Sequence, residues 1–513
     1  MEPEATDNSS RTAASSHPIE ALALIALFAA TILFGISLIH VYGIPYGIDF
    51  GEGYLANASL ELIRGHNPYH SLDQPPWIVT SYPPLFLVLN GLLMSILGVS
   101  LIPGKFIATI SLVGMIILVG AILRKLGVSL AVAILSAGVL LAFPWPVSWA
   151  QVVRVDTLGI MFAAAGIFLW LRSQKTSDAV LAAVFFSLAA YTKQSLLAAA
   201  FAAIVYGLIS RDRRILILMV LFAVLTGGAY VVTNYATGGW FIQHLFTYTA
   251  NEFFVGRMTA GLGQYFKATW LLQILAISAF IIPGAVSGPR RLLGWYFLLS
   301  HLTLGAYGFE GSDTNYFIEP LMSSALLAGL SLDRLTSSVL TEPLRKAVLP
   351  SPRTIGFALI LAIIVLARFF DPSQFRIERA NAERIDNGKG LIRLEAGVPG
   401  DVLSEDASFT FLAGKRVFYQ PYIMALLSRN GKWDQTAFIR TIEEEAYSII
   451  VLRVDLSDQN STEVRGKGWE AAGFDRWTLE AEHAIREHYS LYGAIDVGVG
   501  NLWYVYLANS QEP

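Results

Sequence analysis

Long apolar segments follow one another from about residue 21 to residue 370, and none follows after that. The first, at residues 21–42, is long enough to cross a bilayer, since a crossing helix needs roughly 20 apolar residues. It is also longer than the core of a signal peptide, which has about 7–15 residues, and the residues before it are mostly polar. We therefore predict a retained membrane anchor followed by further crossings.

Basic residues indicate how these segments cross, because Lys and Arg in short loops mark the cytoplasmic side. Five such clusters lie at residues 124–125, 172–175, 211–214, 290–291 and 345–353. If all five are cytoplasmic, an even number of crossings must separate each neighbouring pair, and the apolar segments satisfy this parity. The pattern predicts a cytoplasmic tail at residues 1–20, a membrane domain at 21–370 with about eleven crossings, and an external part at 371–513.

Two further helices are predicted on the outer face. Residues 85–97 are apolar but make only roughly 20 Å of helix. We place them in the outer leaflet, with Pro83 and Pro84 opening the helix. Residues 51–64 carry Leu55 and Leu62 on one side and polar residues on the others, which predicts a surface helix.

The part after residue 371 has a different composition. The pattern of residues 434–447 predicts a helix, which is followed by an apolar strand at 449–452. A second helix is predicted at 479–491 and a closing strand at 501–507. Because helix and strand alternate, we predict a small α/β domain.

Composition agrees with a membrane protein: 54% of the residues are hydrophobic, 15% are charged, and the mean hydropathy is +0.53. The net charge of −3 gives no indication of a nucleic-acid partner. The chain has no cysteine, which excludes a disulfide framework, a thiol nucleophile and a Cys-zinc site.

Polar side chains gather at the external ends of the predicted helices. The candidate site residues are Asp49, Glu52, His66, Arg154, Asp156, Lys193, Asn315, Tyr316 and Glu319. Carboxylates and a few cations in an outward-facing cavity suit a lipid-phosphate donor and a hydroxyl or amine acceptor. An aspartate can take the proton of an attacking hydroxyl if proton transfer is late. The leaving phosphate needs fixed cations or a divalent metal where its charge develops.

The carboxylates and Arg154 also have structural interpretations, which the sequence leaves open. Asp49 could cap the helix that follows it, although its place at a membrane surface favours a functional role. Glu52 could equally be a solvated carboxylate on a helix face. Arg154 and Asp156 could form a salt bridge with each other.

The remaining candidates have similar alternatives. Lys193 could extend to the interface as an anchor, but its distance from the cytoplasmic basic clusters favours a functional role. Asn315 and Glu319 could satisfy buried helix ends. His66 lacks a second ligand nearby in the sequence, so it is weak evidence for a metal.

Four motifs in a fixed order carry a family resemblance: DFGEGYLANASLELIRGHNPY, SYPPLF, VRVDTLG and YTKQSLL. Over residues 20–335 the chain resembles the GT-C polyprenyl-phosphate-dependent glycosyltransferases of the protein O-mannosyltransferase and aminoarabinose transferase type. The resemblance implies that Asp49 is the catalytic base, that Asp156 is the acidic residue of the second external loop, and that Lys193 faces the lipid phosphate. The chain departs from the mannosyltransferases in carrying Asp-Phe-Gly-Glu, with Glu52 as the second acid, where they carry adjacent Asp-Glu.

Together these observations predict an inverting glycosyltransferase of the plasma (inner) membrane with its active site on the external, periplasmic side. It would take a sugar from a polyprenyl-phosphate donor to an envelope lipid, glycan or protein, with Asp49, Glu52 and Asp156 as catalytic residues and Lys193 and Arg154 on the phosphate. The principal alternative is a transporter or lipid flippase. Transporters usually carry ionisable residues near the bilayer midplane, whereas these apolar spans carry few. A structural subunit of an envelope assembly is a second alternative.

Overall fold

The computed structural model describes residues 17–336, 352–370, 382–457, 476–497 and 502–511. Most of the predicted cytoplasmic tail, most of the basic cluster at 345–353, and residues 371–381 at the predicted domain boundary lie outside the described residues. The described part is mainly helical and ends in a small sheet. This agrees with the predicted class, a helical membrane protein with a C-terminal α/β part.

The first part of the chain forms helices, most of which bury a common apolar core, while Glu52–Ile63 and Leu85–Leu97 pack in a separate buried cluster. The helices are α1 His17–Gly43, α2 Glu52–Ile63, α3 Leu85–Leu97, α4 Ile102–Lys125, α5 Leu130–Ala142, α6 Pro144–Trp149, α7 Asp156–Arg172, α8 Thr176–Thr192, α9 Ala198–Ile209, α10 Ile215–Ala236, α11 Val255–Ile281, α12 Arg291–Leu302, α13 Ile318–Thr336 and α14 Pro352–Phe370.

Three helices in the described part are long and apolar enough to cross a membrane: Pro18–Gly43, Ile102–Lys125 and Ile215–Ala236. Shorter apolar helices accompany them, including Leu85–Leu97 and Leu130–Ala142. Side chains such as Val231 on α10 are apolar yet exposed, as expected for a surface that faces lipid. The number of crossings, about eleven, stays a prediction.

The short helix predicted at residues 85–97 is confirmed as α3. Pro84 precedes its first residue, and the helix packs closely on α2. A Cβ at Gly91 would lie 2.6 Å from the Ser59 carbonyl oxygen, so only glycine allows this approach. Asn90 Nδ2 also donates to Ser59 Oγ at 3.0 Å. Helix α2 is therefore fixed from this side.

The C-terminal part contains a four-stranded sheet in the order β1-β2-β4-β3. Its elements are α15 Ala382–Gly397, β1 Asp401–Ser404, α16 Ala407–Leu412, α17 Pro421–Arg429, α18 Thr436–Glu443, β2 Tyr447–Leu452, α19 Leu479–His488, β3 Tyr489–Asp496 and β4 Leu502–Ala508. Strands β1 and β2 are parallel, and the other neighbours are antiparallel.

The tail elements confirm most of the sequence prediction. The predicted helix at 434–447 is the shorter α18, and the predicted strands at 449–452 and 501–507 are β2 and β4. The prediction of a helix to residue 491 is wrong, because α19 ends at His488 and Tyr489 begins β3. Tyr489 pairs with Ala508 across the β3–β4 ladder, a contact that local periodicity does not contain.

The tail packs against the segment between α2 and α3 and covers α2. Trp77 donates its backbone N–H to the Phe418 carbonyl at 2.6 Å, and its ring lies in a buried aromatic group with Phe438. Helix α16 contacts α2 so closely that a Cβ at Gly53 would lie 2.2 Å from the Ser408 backbone nitrogen. The helix predicted at 51–64 is confirmed, but most of it is buried rather than on the surface.

Candidate active site

A cavity of about 660 Å³ lies where several loops between the helices meet the tail. The first loop contributes Asp49, the loop before α7 contributes Arg154, and the residue after α8 is Lys193. Tyr316 and the tail residue Arg476 complete this part of the wall. Predicted site residues from distant parts of the sequence therefore meet at one cavity.

Asp49 and Arg154 form an ion pair on the cavity wall. Arg154 Nε donates to Asp49 Oδ1 at 2.6 Å, and Nη2 contacts the same oxygen. The guanidinium lies against Gly51, where a Cβ would be 2.4 Å from Nη2, so the absence of a side chain at Gly51 makes room for it. Gly51 is the N-cap of α2 and makes no side-chain cap bond, while Asp49 Oδ1 accepts from its N–H at 3.2 Å. The carboxylate thus closes a turn and holds Arg154. The alternative, a salt bridge between Arg154 and Asp156, is not formed.

Glu52 lies beneath the cavity and is fully buried. Its Oε1 accepts from the N–H groups of Ile48 at 2.8 Å and Asp49 at 3.1 Å, and Oε2 accepts from Val153 N–H at 2.9 Å. Burial raises the pKa of Glu52, and Lys105, with Nζ 3.8 Å away, opposes this shift. The solvated alternative for Glu52 is wrong. The carboxylate joins the loop that carries Asp49 to the loop that carries Arg154.

Asp156 and Lys193 form a second, almost fully buried ion pair. Lys193 Nζ donates to Asp156 Oδ1 at 2.6 Å and lies 4.4 Å from the centre of the Tyr316 ring. Asn315 Nδ2 donates to the same carboxylate oxygen at 2.9 Å. Lys193, Asn315 and Tyr316 line the cavity, whereas Asp156 lies behind them. The interfacial-anchor interpretation of Lys193 is wrong, because the lysine side chain is only 7% exposed.

Two predicted lining residues do not line the cavity. His66 follows the turn at Gly65 that ends α2, is exposed, and contacts Glu61 Oε2 through Nδ1 at 2.7 Å. Glu319 is buried inside the helical core, where the Tyr296 hydroxyl donates to its Oε1 at 3.2 Å. Within the described ranges no group of three or more His, Asp or Glu residues could hold a metal ion.

The tail adds cavity residues that the sequence interpretation missed. Arg476 lies over the ring of Phe50, the residue that follows Asp49, at 4.6 Å from its centre. Arg476 Nη1 also donates to Glu405 Oε1 at 2.8 Å. Gln420 and Tyr422 also line the cavity. Local pattern gave no signal for these positions, because their role depends on packing between segments more than 100 residues apart.

Comparison with known proteins finds a similar fold at low sequence identity. No protein-family model matches the sequence, and no curated protein matches it. The structure of ArnT from Cupriavidus metallidurans bound to undecaprenyl phosphate matches with a TM-score of 0.60 and 14% identity, over 96% of this chain and 99% of that one. The same protein in the apo state gives 0.58 and 13%, over 94% and 97%.

A second solved structure has the same overall arrangement. The Archaeoglobus fulgidus oligosaccharyltransferase in the apo form matches with a TM-score of 0.57 and 10% identity, over 94% of this chain and 75% of that one. At these identities the likeness concerns architecture, and it extends over the membrane part and the tail together. The chain therefore shares its overall fold with ArnT and the archaeal oligosaccharyltransferase.

Proposed function

We propose that this chain is a multi-pass membrane glycosyltransferase that moves a sugar from a polyprenyl-phosphate donor to an acceptor, with inversion, on the external face of the plasma membrane. The observation that carries the proposal is a single cavity whose wall brings together Asp49, Arg154 and Lys193. The likeness to ArnT, which was crystallised with undecaprenyl phosphate, supports a lipid-phosphate donor. The external orientation is supported by the positions of the basic loops.

In the proposed reaction an acceptor hydroxyl or amine attacks the anomeric carbon of the donor sugar. The bond from that carbon to the phosphate oxygen breaks, and its electron pair leaves with the polyprenyl phosphate. Asp49 takes the proton of the attacking group. General-base catalysis of this kind makes a reaction about 10²–10⁴-fold faster. Arg154 and the Gly51 amide fix the position of this carboxylate before the substrate arrives.

Lys193 and Arg154 would stabilise the charge that develops on the leaving phosphate. Both cations line the cavity, and each is already paired with a carboxylate. We assign Asp156 and Glu52 positioning roles: Asp156 orients Lys193, and Glu52 holds the two loops together. This assignment needs no metal, and phosphate binding depends on the two side-chain cations.

The test uses purified protein and a panel of labelled polyprenyl-phosphate sugars. Transfer or hydrolysis of one donor is expected, and Asp49→Asn should lower its rate by about 10²–10⁴-fold while donor binding persists. Lys193→Ala should instead weaken donor binding, since it removes a cation that pairs with phosphate. Glu61→Gln, on the exposed face of α2, is the matched control.

Two outcomes would contradict the proposal. Near-normal turnover in Asp49→Asn would leave Asp49 only its turn-forming role, since Asn forms such turns about as well. Movement of an intact lipid or sugar across a liposome membrane, without bond cleavage, would favour the transporter or flippase alternative.

The orientation can be tested separately, because the native chain has no cysteine. A cysteine at the exposed position His66 should react with an impermeant thiol reagent added outside intact cells, and one at Gln174 should not. Labelling of Gln174→Cys alone would invert the topology and place the cavity on the other face.

A further inference from the structure

The segment that carries Asp49 is held by two different parts of the chain. Residues 44–51 join α1 to α2, and we call them the Asp49 loop. The first set of contacts comes from the segment just before α7, where Arg154 pairs with the Asp49 carboxylate. The second set comes from the C-terminal tail and touches the loop before and after Asp49. The proposed chemistry uses the first set and gives no role to the second.

The start of the Asp49 loop belongs to a hydrophobic core of the tail. Ile44 and Tyr46 are buried in one cluster with Val402 and Phe409. The rings of Tyr46 and Phe409 lie 5.4 Å apart between their centres, and the Tyr46 hydroxyl donates to the Val497 carbonyl at 2.9 Å. Separating the loop from the tail would expose these side chains to water, which is unfavourable.

Closer to Asp49, the tail contacts the backbone of the loop. Gly47 N–H donates to Ser408 Oγ at 3.1 Å, and a Cβ at Gly47 would lie only 2.9 Å from Ser408 Cβ and Oγ. Ser408 N–H donates in turn at 2.8 Å to Oδ1 of Asp406, the N-cap of α16. The first turn of α16 is therefore held against the loop two residues before Asp49.

Arg476 contacts the residue that directly follows Asp49. Its guanidinium carbon lies 4.6 Å from the centre of the Phe50 ring, within the range at which a cation is attracted to a ring face. Glu405, whose side chain is 2% exposed, fixes the guanidinium. Glu405 Oε1 accepts from Arg476 Nη1 at 2.8 Å, and Oε2 accepts from Trp477 Nε1 at 3.2 Å. The cation over Phe50 is thus anchored inside the tail.

Phe50 also packs on α2, which the tail holds at the same place. The rings of Phe50 and Tyr54 lie 5.3 Å apart between their centres. The buried Tyr54 hydroxyl donates to the carbonyls of Glu405 and Tyr419, both at 3.3 Å. Glu405 therefore holds both groups that contact the Phe50 ring. Because Phe50 is bonded directly to Asp49, fixing Phe50 limits where the Asp49 backbone can lie.

We propose that the tail is a positioning element of the active site, and that Arg476 acts on Asp49 through Phe50. This inference rests on the proposed function, in which Asp49 takes the proton of the acceptor. Arg154 fixes the Asp49 carboxylate, and the tail fixes the backbone that bears it. A displacement of about 1 Å at a reacting group can cost about 10²-fold in rate, so a loosened loop slows the reaction without weakening donor binding.

The test compares Arg476→Ala, Phe50→Leu and their double variant, each in the full chain in lipid nanodiscs, with the labelled donor that the wild type transfers. Each single variant should lower kcat about tenfold and leave the KM for the donor unchanged. Since both residues act through one contact, the double variant should be no slower than the slower single variant. Arg476→Lys keeps a cation and should be faster than Arg476→Ala. Arg440→Ala, an exposed arginine of α18, is the matched control.

Amide hydrogen exchange measures the hold on the loop without any substrate. The N–H groups of Ile48 and Asp49 donate to Glu52 Oε1, and that of Gly51 donates to Asp49 Oδ1. Arg476→Ala should speed exchange in peptides that cover these positions about fivefold, the size of one cation–π contact. Exchange in α4 should not change.

Unchanged exchange in a folded Arg476→Ala or, if that variant does not fold, in Phe50→Leu would overturn the proposal. Faster exchange with a normal kcat would overturn it as well, as would rate losses that add in the double variant. A raised KM with normal kcat in Arg476→Ala, together with a wild-type Phe50→Leu, would mean that Arg476 contacts the substrate itself. Faster exchange in a chain that transfers no donor would support the hold of the tail on the loop and contradict the proposed function alone.

Discussion

The buried Glu52 carboxylate allows a stability prediction to be worked from the structure. Glu52→Gln keeps the size of the side chain but replaces one oxygen by an NH₂ group. Three backbone N–H groups point at the two carboxylate oxygens. In either orientation of the new amide, its NH₂ group therefore faces at least one of these backbone N–H groups, so that two hydrogen-bond donors meet. The substitution also leaves Lys105, whose side chain is 2% exposed, without the carboxylate 3.8 Å away.

Removing one partner of a buried ion pair typically costs about 3–5 kcal/mol, much of it from the charge left behind. We expect Glu52→Gln to lower the free energy of unfolding by about this amount. Lys105→Met in addition removes the stranded cation. The double variant Glu52→Gln/Lys105→Met should therefore be more stable than Glu52→Gln alone.

The assay is equilibrium unfolding of the purified protein in mixed micelles with increasing dodecyl sulfate, followed by fluorescence of its 11 tryptophans. Glu61→Gln, a partly exposed carboxylate on the same helix, should unfold like the wild type. Wild-type stability in Glu52→Gln, or a double variant less stable than the single one, would refute the reasoning. A stable but inactive Glu52→Gln would return Glu52 to the catalytic role predicted from the sequence.

Two further predictions concern how the tail is held. Gly53→Ala places a Cβ 2.2 Å from the Ser408 backbone nitrogen, so it should loosen the tail and speed its cleavage by added protease, whereas Gly43→Ala, with open space around it, should not. Burial raises the pKa of Asp406 from 3.8 to about 7, so the protonated form stabilises the fold and this stability is lost as pH rises through that range. The full loss across this range is about 4 kcal/mol, of which about 3 kcal/mol falls between pH 5 and pH 8, and Asp406→Asn should remove that difference when unfolding is compared at these two pH values; an unchanged pH dependence would contradict this.

The sequence predicted what depends on local pattern. Apolar periodicity found α3 between its proline start and its glycine end, and it found β2 as an apolar run bounded by polar residues. It extended α19 into Tyr489 and beyond, because a strand that pairs with a distant partner has no local marker at its first residue. A helix or strand can thus be predicted where the local pattern of apolar residues defines it. Its end is harder to predict where pairing with a distant strand determines it.

The candidate site shows the same division. The residues that meet at the cavity were identified by type and by order along the chain, but their pairing was not. Arg154 and Asp156 are two residues apart, and each finds its partner elsewhere, in Asp49 and Lys193. The contribution of Arg476 needed the docked tail, which only the three-dimensional packing reveals.

The pairing of both cavity cations with resident carboxylates has a consequence for turnover under the proposed function. A donor phosphodiester carries one negative charge, whereas a released phosphate monoester carries up to two near neutral pH, since its second pKa is about 6. Unpaired cations would therefore hold the product more tightly than the substrate. When Asp49 loses the proton that it accepted, it competes again for Arg154, as Asp156 does for Lys193. The cavity thus contains its own competitors for the phosphate-binding cations, and they favour product release over product inhibition.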